Sequence, residues 1–204
     1  RMIKIVLNGK TIEAPISTSI TELLVDHPHA GDFPAIGAIV NNQLSGLGRR
    51  LRGDSKVTTV DLTSKAGAEI YRRTAVLMLT VAVEHIGQGS TLRVGQSIAN
   101  GYYFEVLGRE CSPEFIRTVY DEMIAMRDAD RPIKFTWVPV EEAIHHYESL
   151  GLTSKADIMR INRSSEVLMA SLNSRLSFPY GPLATHTGLI NHFSLIPYED
   201  GVVL

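Results

Sequence analysis

The sequence predicts an α+β fold in two unequal parts, and three observations carry that reading. A strand–Asn-Gly–strand pattern opens the chain, one long segment is apolar almost all round from Ala75 to Val83, and strand-like and amphipathic segments follow it in irregular order. The 204 residues suit one large or two small domains. With 44% hydrophobic and 21% charged positions the composition is that of a globular chain, away from the disordered corner. Lys+Arg number 20 against 22 Asp+Glu, a net charge of −2 that disfavours a large polyanion-binding face. The single cysteine excludes an intramolecular disulfide and suits a reducing cytoplasm. The apolar run is far short of the roughly 20 residues of a membrane span, and no signal segment opens the chain. A cytoplasmic protein without membrane contact is expected.

The first part reads as hairpin, helix and further strands. Met2 to Leu7 and Lys10 to Ala14 are strand-like around Asn8-Gly9, the strongest two-residue hairpin signal. Ser19 to Val25 reads as a short helix in which Ser19 and Glu22 have capping-box spacing. Ala35 to Val40 is a third strand, Asn41-Asn42 a turn and Val57 to Leu62 a fourth strand. This order within about 62 residues suggests a ubiquitin-like β-grasp. Arg49-Arg50-Leu51-Arg52 is the one basic cluster, and residues 1–65 hold 8 Lys+Arg against 6 Asp+Glu, the rest 12 against 16. A phosphate or RNA contact is one use of it; a solvated loop is the commoner one, because three arginines make a weak electrostatic footprint.

The second part opens after a polar link, Thr63 to Gly67, with a helix from Glu69 to Ile86 stopped by Gly87-Gln88-Gly89. Leu92 to Ile98 and Tyr102 to Leu107 are strand-like around Asn100-Gly101. Ser112-Pro113 starts a helix, serine as N-cap and proline at the first position, that runs to about Ala129. Ile133 to Val138 reads as a strand and Val140 to Leu150 as an amphipathic helix ended by Gly151. Ser154 can cap a fourth helix, and Val167 to Leu172, Leu189 to Ile196 and Val202 onwards are β-like. Helices on a mostly antiparallel sheet are expected. Arg1 precedes Met2, so Met2 reads as the natural start. The final apolar strand after Asp200-Gly201 reads as cut short, so the chain is expected to be the amino-terminal piece of something longer.

The order of these pieces resembles the amino-terminal half of threonyl-tRNA synthetases. The helix beginning "EIYRRTAVLMLTVA", the segment "IGQGSTLRVGQSIANGYYFEV" and the later "FPYGPLATHTG" carry the resemblance. It implies a TGS-type β-grasp domain over residues 1–63 and a threonyl/alanyl-tRNA synthetase editing-like domain over residues 67–204. In that family the long helix carries His-x-x-x-His, and Cys-x-x-x-His brackets a Gly-Pro. Here the matching positions hold Arg73 and Leu77, then Pro179 and Leu183. Neither leucine nor proline can ligate a metal or act as a general base, so no catalytic residue and no metal are expected in this segment. Lys155 aligns with a lysine lining the family's pocket. The candidate ligand-binding pocket is then Lys155, Arg73, Gly101, Tyr102, Tyr103, Tyr180 and His186. Strand alternation lets only one of Tyr102 and Tyr103 face it.

The same degenerate pair of modules also resembles the amino-terminal extension of a bacterial uridine/nucleoside kinase family of the phosphoribulokinase/uridine kinase type. That resemblance implies a non-catalytic regulatory or ligand-binding region, a nucleoside or nucleotide ligand, and ATP and Mg for a kinase domain downstream. It also leaves open a homo-oligomer formed through the parent protein. No G-x-x-x-x-G-K-[S/T] cradle occurs in these 204 residues. The alternative is a stand-alone or trans-acting deacylase or tRNA-binding module. Of the seven histidines, His186 and His192 flank the Gly-Pro segment and can reach the same cavity. His27 and His29 form an H-x-H spacing in a Pro-containing loop that is common by chance, and the helical neighbours His145 and His146, about 100° apart, do not converge on one ion. Cys111, just before the Ser112 cap, sits where a helix dipole lowers a thiol pKa, but no base is identified for it.

Overall fold

A computed structural model describes residues 1–98 and 101–204. The expected Asn100-Gly101 turn therefore lies outside the described residues. Strands β1 (Met2–Leu7), β2 (Lys10–Pro15), β3 (Gly37–Val40), β4 (Gln43–Ser45) and β5 (Ser55–Val60) form one sheet in the order β2-β1-β5-β3-β4, with only β1 and β5 parallel. Asn8 and Gly9 both have positive φ (49° and 85°), as a tight hairpin matched to strand twist requires. Asn8 also exchanges hydrogen bonds with Thr59 through its side-chain amide, which pins the hairpin to β5. Ile3, Ile5 and Leu7 alternate inward and bury helix α1 (Ile20–Asp26) through Ile20 and Leu23. Ser19 caps α1 with both capping-box hydrogen bonds present.

Three boundaries differ from the sequence reading here. β4 is a three-residue strand without a local signal, and β3 starts two residues later than expected. β5 ends at Val60 because Asp61 turns its carboxylate onto the amide and hydroxyl of Thr63. Only Thr63 and Ser64 of the expected link precede helix α2 (Lys65–Gly87), whose cap Ser64 accepts from the Gly67 amide. α2 ends at Gln88 in the left-handed region.

The remaining strands form two sheets, not the single sheet expected. β6 (Thr91–Ile98), β7 (Gly101–Leu107), β11 (Ile196–Tyr198) and β12 (Gly201–Val203) order as β11-β12-β7-β6. β8 (Lys134–Pro139), β9 (Glu166–Leu172) and β10 (Arg175–Ser177) order as β10-β9-β8. Helix α3 (Pro113–Asp128) packs beside α2, and α4 (Val140–Ser149) with α5 (Thr153–Ile161) covers the β8–β9 face through Tyr147, Ala156 and Met159. α2 is central, and its apolar surround packs against Phe104, Val119, Ala170 and Ile36, the residue before β3. A Cβ at Gly37 would fall 2.3 Å from Ile70 Cδ1, so β3 approaches α2 closely.

Two further expectations are corrected. Ser154 lies inside α5 and does not cap it; Leu152 precedes the helix without a side-chain cap. Leu189 to Ile196 is not a strand. A 3-10 turn (Thr187–Leu189) leads into an irregular segment, and β11 holds only three residues. The backbone of that segment is engaged by side chains: Tyr71 Oη bonds both the amide and carbonyl of His192, and Arg127 donates to the Asn191 carbonyl. No helix among the described residues is long and apolar enough to cross a membrane.

Candidate functional site

One face of α2 presents Arg73, Val76, Leu77 and Thr80, spaced by three and four residues, to a cavity of about 80 Å³. Phe104 of β7, Ala170 of β9 and Lys155 of α5 form its other walls. The segment after β10 crosses it as a strap carrying Phe178, Pro179, Tyr180 and Leu183. Arg73, Leu77, Pro179 and Leu183, the four positions where the synthetase-like pattern expects histidine or cysteine, thus line one cavity together with Lys155. Chain separations of about a hundred residues are closed by the fold, and the side chains brought together are a cation, two leucines and a proline.

The strap is tied down at its ends. The Phe178 amide donates to Tyr147 Oη at 2.7 Å, and His146 Nε2 bonds the Leu176 carbonyl at 3.1 Å. At the far end the Ala184 amide donates to Thr74 Oγ1 at 2.9 Å, both residues being fully buried. Between them Arg73 Nη1 donates to the Pro182 carbonyl at 2.8 Å. Gly181 lies against that guanidinium: a Cβ there would come within 2.4 Å of Arg73 Nη1. The nearest acid to Arg73 is Glu69, at 3.8 Å. Burial pushes the Tyr147 hydroxyl up to about 12, and the Tyr180 hydroxyl is raised for the same reason.

Lys155 stands over the Tyr147 ring at 5.5 Å from its centroid. Burial lowers its pKa, and the charge of Glu84 opposes that shift. Glu84 itself is 6% exposed, and its pKa is raised by burial against the pull of Arg175, 3.8 Å away, and of Lys155. No Asp, Glu, His or Cys lines the cavity among the described residues. Nor do those residues contain any cluster of three or more such side chains able to hold a metal ion.

Two wider grooves open from the cavity. One, of about 430 Å³, is bounded by Glu69, Arg72, Arg73, Tyr102 and Tyr180, with the Arg72 guanidinium 6.0 Å above the Tyr102 ring. The other, of about 340 Å³, runs past Arg93 and Lys155 and shares Tyr180. Of the sequence candidates, the structure therefore gathers Arg73, Lys155, Tyr180 and Tyr102. Tyr103 points the other way, edge-on to Tyr198 at 5.8 Å. Gly101 begins β7 and lines none of these spaces. His186 pairs with Asp130 away from the cavity and holds that carboxyl low, and His192 is likewise outside the lining.

The remaining candidates have structural partners. His29 bridges Thr59 Oγ1 and Asp61 Oδ2 at 2.6 and 2.8 Å. Arg49 bonds Gln43 and Ser45 of β4, and Arg50 bonds the Ser17 carbonyl in the turn before α1, so two of the three loop arginines have partners within the first part of the chain. The Cys111 thiol is pushed up by burial, the opposite of the lowering its place before a helix suggested. The sequence reading gives no role to Thr74, Thr80 or Glu84, and places Tyr147 only within an amphipathic helix.

No family model matches the sequence. The chain is similar to the threonine–tRNA ligase of Methylibium petroleiphilum, at 25% identity over 191 residues, covering 93% of this chain and 30% of the relative. The threonine–tRNA ligase of Methylococcus capsulatus is 28% identical over 166 residues (79% and 26%), and that of a Polaromonas species 23% over 198 residues (96% and 31%). This chain thus carries a threonyl-tRNA-synthetase-like region over most of its length and spans about 30% of the length of such relatives. These relatives give no support to a nucleoside kinase.

Proposed function

We propose that this chain is a tRNA-binding module related to threonine–tRNA ligase, and that its cleft receives the aminoacylated 3′ end of a tRNA without hydrolysing it. The convergence of Arg73, Leu77, Pro179 and Leu183 on one cavity carries this reading. Ester hydrolysis needs a metal-bound or base-activated water. Leucine and proline offer neither, and arginine stays protonated throughout the working range. What remains is recognition chemistry: Arg72, Arg73 and Lys155 around the openings for phosphate, and the faces of Tyr102 and Tyr180 for a base. At about 80 Å³ the cavity is too small for a nucleoside, since pockets for ligands of that size run to roughly 300 Å³ or more. The terminal aminoacyl-adenosine is therefore assigned to the wider groove beside Tyr102 and Tyr180, where Glu69 can meet its α-ammonium.

Filter binding of a threonyl- or seryl-tRNA analogue with a non-hydrolysable amide linkage tests the reading. Saturable binding that weakens as salt rises, and that Arg72→Ala and Tyr102→Ala each reduce, is expected. Binding of the analogue no tighter than of an unrelated RNA hairpin would overturn it.

A further inference from the structure

The cavity and its charges carry a more specific assignment. Its lining holds two cations, Arg73 and Lys155, and no carboxylate among the described residues. Arg73 spends one donor on the Pro182 carbonyl, while Glu69 lies 3.8 Å from Nη2, beyond hydrogen-bond reach. The rest of its planar fork is uncommitted within the described residues. Lys155 Nζ has no hydrogen-bond or ion-pair partner among them and faces the ring of Tyr147. Glu84 acts on it only at longer range and is shared with Arg175. A partly desolvated ammonium with no counter-ion in contact is costly, and an anion at the cavity would reduce that cost. At about 80 Å³ the space is small, enough for one oxyanion group and too small for a nucleoside. An α-ammonium would find no acid there; Glu69 lines only the outer groove.

We propose that this cavity is a receptor for one small oxyanion, a carboxylate or a phosphate group, held by Arg73 and Lys155. Arginine in place of the histidine expected at position 73 changes the cavity from one suited to metal or base chemistry to one suited to a planar or tetrahedral anion. The remainder of a larger ligand would extend into the groove beside Tyr102. The assignment needs no RNA, so it stands or falls separately from the tRNA reading.

Titration of the full 204-residue chain with inorganic phosphate, and separately with acetate, at constant ionic strength tests it by calorimetry and amide NMR. One saturable site for at least one anion is expected. Arg73→Gln and Lys155→Met should each weaken it about tenfold or more, with Arg73→Lys intermediate because charge survives and the fork does not. Preference for phosphate would point to a nucleotide-type ligand, and preference for acetate to an organic acid. Should Arg73→Gln loosen the strap and unfold, Lys155→Met decides, because Lys155 makes no hydrogen bond among the described residues. Failure of both anions to saturate, or undiminished binding in Lys155→Met and in the double variant, overturns the assignment.

Discussion

Replacing Thr74 with valine isolates the contact that fixes the strap to α2. The two side chains have the same shape, so the exchange removes one hydroxyl and leaves the packing of a fully buried site intact. Thr74 Oγ1 donates back to the Ile70 carbonyl at 2.8 Å and accepts from the Ala184 amide at 2.9 Å. The Ile70 carbonyl lies within α2 and keeps a helical partner; the Ala184 amide, in a residue with no exposure, keeps none. Orphaning a buried N–H costs about 1–3 kcal/mol. For a chain of this size each kcal/mol lowers the melting temperature by roughly 2–4 °C, so a fall of several degrees is expected. Thermal melts followed by circular dichroism read the stability, and hydrogen exchange at the Ala184 amide reads the bond itself. Thr74→Ser, which keeps the hydroxyl, should preserve the amide's protection. A Thr74→Val protein with unchanged melting temperature and a protected Ala184 amide would refute the reasoning.

Other consequences follow from the first sheet and its junction with α2. The hydroxyl and amide of Thr63, with His29, hold the Asp61 carboxyl at about 2, below its ordinary 3.8. A carboxyl lowered by folding contributes stability above its unfolded pKa and loses it as pH falls through the folded value. The stability gap between the native chain and Asp61→Asn should therefore be full near neutrality and close as pH falls from about 4 to 2; urea melts showing a gap independent of pH would contradict this. A Cβ at Gly67 would stand 1.8 Å from the Asp61 carbonyl oxygen, a backbone atom that cannot swing aside. Gly67→Ala should cost about 1–3 kcal/mol or more, and an unchanged urea midpoint would count against that junction. Ser19→Ala removes a capping box with both bonds formed and should cost about 1 kcal/mol, read from the same melts.

Features encoded within four residues were legible in the sequence. Asn8-Gly9, the Ser19/Glu22 box and the Ser112-Pro113 start each satisfy local backbone demands, and the structure shows all three. β4 and β10 have three residues each and exist only through pairing with longer neighbours, so no local periodicity marks them. Leu189 to Ile196 has the apolar content of a strand, but Tyr71 and Arg127 capture its backbone groups before a neighbouring strand can. At the site, the resemblance supplied Arg73 and Lys155, and strand alternation allowed one tyrosine of the Tyr102–Tyr103 pair to face the groove. The part that Thr74 and Tyr147 play in holding the strap was not legible because each acts across the chain, Thr74 on an amide 110 residues away and Tyr147 on one 31 residues away. His186 follows the Gly-Pro segment in sequence, yet its antiparallel bridge to Pro132 carries it toward Asp130.

The claim that the cleft binds an aminoacylated end without hydrolysing it is tested most directly by following ester loss from seryl- and threonyl-tRNA. The protein should be present at concentrations that saturate binding of the non-hydrolysable analogue. The account expects the ester to decay at the rate seen without protein, in the native chain and in Lys155→Met alike. Turnover by the native chain that disappears in Lys155→Met would contradict it. The cavity would then hold a working base in the one amine that lines it, and the chain would be a hydrolase.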